Sequence, residues 1–114
     1  MAENKRLHIL WTNDNPITSK LMVFMYGIKA KSAGFWENVT IIIWGATAKY
    51  VSENIEIQEY IRKAKEAGVH VSGCRSCAEE LGVVDDLEKQ GIELIRWGAP
   101  LTELLKNNEK ILTI

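Results

Sequence analysis

Two cysteines separated by two residues, Cys74 and Cys77, are the side chains in this sequence best suited to chemistry. Cys74 follows a predicted strand and a glycine, and it precedes a short predicted helix. The amide groups of a first helical turn and the helix dipole favour a thiolate there, and Arg75 adds a positive charge. Since the thiolate is the nucleophilic form of cysteine, Cys74 is predicted to attack sulfur.

Cys77 follows one helical turn later and permits two interpretations. It is either a thiol that partners Cys74 or a buried side chain on the helix face that packs against the sheet. In an intracellular protein this spacing indicates redox, sulfur or metal chemistry. A thioredoxin-like site is disfavoured because the pair falls in the third strand–helix unit. Zinc is disfavoured because the remaining ligands, His8 and His70, fall inside predicted strands, so no metal site is predicted.

Further candidate binding residues stand at the ends of predicted strands. Asn13 and Asp14 could bind a polar group at the start of the first helix, although turn and capping interactions also explain them. Trp44 and Trp97 could form the walls of an apolar pocket over Cys74. The sequence has no glycine-rich nucleotide motif and no phosphate-loop lysine, so no cofactor is predicted.

Alternating strands and helices must position these residues. Strands are predicted over residues 6–13, 39–44, 69–72, 92–97 and 110–114. Helices are predicted over residues 17–31, 54–67, 75–81, 84–90 and 100–106, with a helical turn over 46–52. This alternation predicts an α/β fold, a parallel sheet covered by helices on both faces. Right-handed crossovers would bring the strand-to-helix turns, and with them the cysteines, to the carboxyl edge of the sheet.

Length and composition predict a single globular domain over residues 1–114. The hydrophobic fraction is 46% and the charged fraction 25%, which are ordinary values for such a domain. A net charge of −1 provides no basic face for nucleic acid or an anionic membrane. No apolar stretch approaches the roughly 20 residues that span a bilayer. Residues 1–6 lack the apolar core of a signal peptide, so a cytoplasmic location is predicted.

The first helix predicts contact with another copy of the chain. Leu21–Tyr26 is apolar nearly all round, whereas a helix that covers one sheet face needs a single apolar stripe. We therefore expect a homo-oligomer in which the surplus face, including Phe24 and Met25, is buried between subunits.

The segment from Val69 to Val83 carries a resemblance to a known family. It places a cysteine after the third strand and a glycine eight residues later, here Cys74 and Gly82. The sequence resembles the DsrE-like family, which includes the DsrE/DsrF/DsrH and TusB/TusC/TusD sulfur-relay proteins and the YchN-like proteins. The resemblance implies an α/β/α sandwich on a five-stranded, mainly parallel sheet, assembled as trimers or hexamers. It also implies a persulfide on the cysteine that matches Cys74, whereas Cys77 is additional.

The sequence thus predicts a cytoplasmic sulfur carrier or sulfurtransferase. Cys74 would accept sulfane sulfur as a persulfide from a donor protein and pass it to an acceptor protein. First-turn amides and Arg75 would stabilise the anionic sulfur, and Cys77 could release the sulfur by forming a disulfide with Cys74. The alternative is a non-catalytic module of the same fold that binds a small ligand or a protein and has structural cysteines.

Overall fold

The computed structural model describes residues 5–114, which form a five-stranded parallel sheet flanked by helices. The strands are β1 (Arg6–Trp11), β2 (Asn38–Ile43), β3 (His70–Cys74), β4 (Glu93–Ile95) and β5 (Lys110–Thr113). The helices are α1 (Pro16–Thr18), α2 (Met25–Ser32), α3 (Ala46–Glu53), α4 (Ile55–Glu66), α5 (Arg75–Leu81), α6 (Val84–Lys89) and α7 (Gly98–Lys106). A π-helical segment, Ser19–Phe24, joins α1 to α2, and we call the three together helix one.

The strand order β4-β3-β2-β1-β5 determines which helices cover which face of the sheet. The first three crossovers step in one direction, and the last returns from β4 past β3, β2 and β1 to place β5 beside β1. Right-handed connections therefore bring α1 to α6 to one face and α7 to the other. The main core agrees, since it joins β1, β2 and β3 to residues of helix one and α3 to α6. The predicted three-layer α/β/α arrangement is confirmed, with a wholly parallel sheet.

Local sequence signals account for several of these elements. The run Ile41–Ile43 is fully buried without alternation, as expected for a central parallel strand covered on both faces. Asn54 caps α4 as predicted, and its side-chain oxygen accepts the backbone N–H of Ile57 at 2.9 Å. Gly82 ends α5 in the left-handed conformation, with a φ of 70°.

The third strand is longer than predicted, and this changes the position of Cys74. The prediction of a turn at Gly73 and Cys74 is wrong, because both residues pair with β4, opposite Leu94 and Ile95. A Cβ atom at Gly73 would lie 2.9 Å from a methyl carbon of Leu94, so a larger residue here would require the Leu94 side chain to move. Cys74 is therefore the last residue of β3 and also the N-cap of α5.

Helix one divides its apolar residues between the core and the surface. Phe24 is fully buried, and its ring meets that of Trp11 edge to face at 5.1 Å. The prediction that Phe24 belongs to a surplus face is therefore wrong. The exposed apolar residues of helix one form what we call the helix-one stripe: Ile17, Leu21, Met22 and Met25.

A signal peptide, a membrane-spanning helix and a metal site are three features that the sequence does not predict. The predicted lack of a signal peptide concerns chiefly residues 1–4, which lie outside the described residues. Within residues 5–114, none of the helices has the length and apolar character needed to cross a membrane. In this same part of the chain, no three His, Cys, Asp or Glu side chains converge to hold a metal ion.

Candidate functional site

The two cysteines lie together at the carboxyl edge of the sheet. Cys74 ends β3, where its side chain is 5% exposed, and Cys77 follows one turn into α5, half-buried. Both are free thiols, and their side chains are joined by a hydrogen bond. The edge position follows from the parallel sheet, and the contact follows from the spacing of one helical turn.

The surroundings of Cys77 favour its neutral form. Burial raises the pKa of the Cys77 thiol, and the hydrogen bond to Cys74 raises it further. The backbone N–H groups of Gly45 and of Cys77 itself act in the opposite direction, but they are outweighed. In this hydrogen bond the Cys77 thiol is the donor and the sulfur of Cys74 is the acceptor. Cys77 therefore acts as a neutral hydrogen-bond donor toward Cys74.

Alkylation should report this raised pKa directly. Only the thiolate reacts quickly with iodoacetamide, so at neutral pH Cys77 in the folded chain should react more slowly than in the denatured chain. The rate should rise with pH through a range above that of an ordinary cysteine. Peptide mapping after timed labelling would measure Cys77 separately from Cys74. Equal rates at neutral pH in folded and denatured chains would contradict the raised pKa.

Two arginines lie near the pair, and they differ in their partners. Arg75 forms ion pairs with Glu79 at 3.4 Å and with Glu88 at 3.7 Å. Arg96 donates hydrogen bonds to Ser76 and to Glu79, and it also interacts electrostatically with Cys74. Sequence reasoning identified Arg75 and missed Arg96. The register explains Arg96, because the residue before it, Ile95, pairs with Cys74.

A cavity of about 540 Å³ opens beside Cys77, between α3 and α5. Helix α3 contributes residues spaced at i, i+3, i+4 and i+7, which share one helical face. Helix α5 contributes residues spaced at i, i+3 and i+4, and the loops after β1 and β2 complete the lining. The lining residues are Asp14, Gly45, Ala46, Lys49, Tyr50, Glu53, Cys77, Glu80 and Leu81.

Of the residues proposed from the sequence, Asp14 and Cys77 line this cavity, and the others have different surroundings. Asn13 organises the turn after β1, since its side-chain oxygen accepts the N–H of Asn15 at 2.8 Å. Trp44 is half-buried, and Trp97 is buried and donates its indole N–H to Ser72 at 2.8 Å. The apolar part of the cavity wall is instead formed by the side chains of Ala46, Tyr50 and Leu81.

Tyr50 is the lining residue that sequence reasoning most clearly missed. Its hydroxyl oxygen is buried and has no hydrogen-bond partner among residues 5–114. Burial raises the pKa of this hydroxyl, although the nearby Lys20 lowers it. The sequence does not specify that α3 faces α5. Without that knowledge, nothing in the sequence marks Tyr50 as a residue of the cavity.

The strand order, the one-sided arrangement of the first six helices and a cysteine at the end of β3 define a three-layer protein of the DsrE-like fold. Comparison with solved structures agrees. The chain is 40% identical to BT1422 of Bacteroides thetaiotaomicron, a conserved protein of unknown function, over 97% of this chain and 96% of that chain, with a TM-score of 0.95. It belongs to the same family as that protein.

A more distant structure shares the fold alone. The YchN protein of E. coli is 14% identical, and the alignment covers 98% of this chain and 100% of that chain with a TM-score of 0.70. No family model matches the chain, and no curated protein sequence does.

Proposed function

We propose that the protein is a sulfur carrier of the cytoplasm that accepts sulfane sulfur as a persulfide on Cys74. The observation that carries this proposal is the pair of neighbouring free thiols at the carboxyl end of β3, one of which lines a cavity. Cys74 is 5% exposed, and its neighbour Cys77 lines the cavity. A donor would therefore approach the pair of thiols from the cavity. The DsrE-like fold supports the same chemistry by resemblance.

Loading is a displacement at sulfur that involves no net oxidation. The Cys74 thiolate attacks the outer sulfur of a donor persulfide, R–S–SH. The S–S bond of the donor breaks, a new S–S bond forms on Cys74, and the donor thiolate leaves and takes up a proton. Before the attack, Cys77 donates a hydrogen bond to the sulfur of Cys74, and Arg96 contributes a positive charge nearby.

Unloading can follow two routes from the same persulfide. An acceptor thiolate can attack the outer sulfur of the Cys74 persulfide, which returns the Cys74 thiolate. Alternatively, Cys77 can attack the inner sulfur, which forms a Cys74–Cys77 disulfide and releases hydrosulfide. In this second route the cysteine pair is oxidised by two electrons and the sulfane sulfur is reduced.

The low exposure of Cys74 also favours a second candidate, a binding module of the same fold with structural cysteines. The two candidates differ in thiol reactivity. A carrier should react with iodoacetamide at Cys74 in the folded state at neutral pH. A module in which both thiols are structural should stay unlabelled until it is denatured.

Intact-mass analysis after incubation with a small persulfide tests the carrier directly. We expect the mass to increase by one sulfur atom per chain, and we expect a reducing thiol to remove that sulfur. The same protein treated beforehand with iodoacetamide under denaturing conditions and then refolded is the control, and it should gain nothing. An unchanged mass in the untreated protein, with the donor shown to be active on another thiol, would favour the binding module.

A further inference from the structure

We infer that the cavity beside Cys77 binds a small thiol or persulfide that carries an ammonium group, and that it discriminates against anionic sulfur compounds. This inference rests on the proposed function and adds the class of sulfur compound that the carrier meets. It depends on the charges of the cavity, on where they lie relative to the sulfur atoms, and on the apolar surface between them.

Acidic groups outnumber basic groups in the lining. Asp14, Glu53 and Glu80 supply three carboxylates, and Lys49 supplies the single ammonium. Within the described residues, none of these four side chains forms an ion pair with another side chain. Their charges are therefore available to a ligand, and their sum attracts a cation. An ammonium group is a compact cation with several hydrogen-bond donors that carboxylates accept.

The acidic groups and the sulfur atoms lie at positions that a short aminothiol can span. Glu80 is three residues after Cys77 on α5, so their side chains start roughly 5–6 Å apart. On α3, Ala46 is seven residues before Glu53, a distance of roughly 10 Å along the helix. Gly45 precedes Ala46 and donates its backbone N–H to the sulfur of Cys77. The cavity thus has a sulfur end at Gly45 and acidic groups one to two turns away.

Apolar groups separate the charged residues of the cavity from the sulfur atoms. Tyr50 forms part of the cavity wall, although its hydroxyl oxygen is buried and does not face the cavity. Ala46 and Leu81 contribute apolar surface that suits the short carbon chain between an amine and a thiol.

Thiol–disulfide exchange measures this charge preference without a persulfide. Cystamine is a small disulfide with an ammonium group at each end, and dithiodiglycolate is a disulfide of similar size with a carboxylate at each end. Mass spectrometry would follow the formation of the mixed disulfide, or of the Cys74–Cys77 disulfide that can follow it. The quantity compared is the ratio of the cystamine rate to the dithiodiglycolate rate. At low salt, we expect this ratio to be about tenfold higher for the folded chain than for the denatured chain.

Charge-neutralising variants locate the source of the preference. Glu80→Gln and Glu53→Gln should each reduce the ratio of the two rates, whereas Lys49→Gln should increase it. Glu103→Gln is the matched control, because Glu103 is exposed on α7, on the opposite face of the sheet. This control should leave the ratio unchanged. Added salt should reduce the ratio in the unmodified protein because it screens the carboxylates.

These measurements distinguish failure of the inference from failure of the proposed carrier function. Three results would overturn the inference. They are an equal ratio of the two rates in folded and denatured chains, a faster reaction with dithiodiglycolate, and no reaction of the folded chain with either reagent. A preference for cystamine without persulfide loading would support the cavity's specificity and reject the carrier. Persulfide loading without a charge preference would retain the carrier and reject the inference.

Discussion

Replacing Cys74 by serine should abolish the gain of one sulfur atom from a persulfide donor. The hydroxyl of serine is not ionised near neutral pH, so Cys74→Ser has no nucleophile at the end of β3. The Cys77→Ser variant should still load sulfur, because Cys74 remains in place. Its loading rate should change by less than about tenfold, because the serine hydroxyl can still donate a hydrogen bond to the reacting sulfur and one hydrogen bond contributes only about 1 kcal/mol.

The two variants should also differ in how long the persulfide survives. Without Cys77, no internal thiol can displace hydrosulfide, so the Cys74 persulfide in Cys77→Ser should persist longer than in the unmodified protein. Intact-mass measurements over time would follow loading and decay, and circular dichroism would check that both variants fold. Equal loss of loading in the two variants would mean that the cysteines act as a dithiol. Loading by Cys74→Ser alone would assign the persulfide to Cys77.

A double substitution in the helix-one stripe, Leu21→Glu with Met25→Glu, should convert an oligomer into monomers. We propose that this stripe is buried between copies of the chain, in trimers or hexamers as the family resemblance implies. Leu21 is 56% exposed and Met25 is 58% exposed within a single chain. Since burying a large apolar side chain contributes about 1.5–3 kcal/mol, two such residues per subunit would support a stable interface. Glutamate there would place charges in that interface.

Light scattering at several protein concentrations measures the expected change. Leu105→Glu is the matched control, because Leu105 is 58% exposed on α7 and lies outside the stripe. This variant should keep the assembly of the unmodified protein. Phe24 is unsuitable for the test, since its ring belongs to the core and a charge there would unfold the chain. A clean 12.9 kDa monomer of the unmodified protein at high micromolar concentration would contradict the proposed interface.

Elements with strong local signals were predictable from the sequence. Helix α5 has its predicted bounds, residues 75–81, because Gly82 supplies the left-handed conformation that ends it. Helix α4 begins after Asn54, as its capping side chain indicates. The position of the cysteines at the carboxyl edge followed from the strand–helix alternation, since parallel strands end at a common edge.

Features that depend on distant partners were not predictable in this way. Gly73 is a turn residue by local preference, but pairing with Leu94 makes it part of β3. Arg96 lies near Cys74 because β4 is the neighbour of β3, and Tyr50 lines the cavity because α3 faces α5. The π-helical segment has no recognised local signal, and it ends at the buried Phe24, whose exposed neighbour Met25 begins α2.

The position of β5 beside β1 bears on the order in which the sheet assembles. The residues that pair between β1 and β5 are about 100 apart in the chain, whereas those that pair between β1 and β2 are about 30 apart. Loop closure for the distant pair is therefore more costly by about 1 kcal/mol of chain entropy. We expect β1 to pair with β2 early in folding and to remain an open sheet edge until β5 docks. During that interval the unpaired backbone of β1 can join a strand of another molecule, so slow docking of β5 is the step that exposes a folding chain to aggregation.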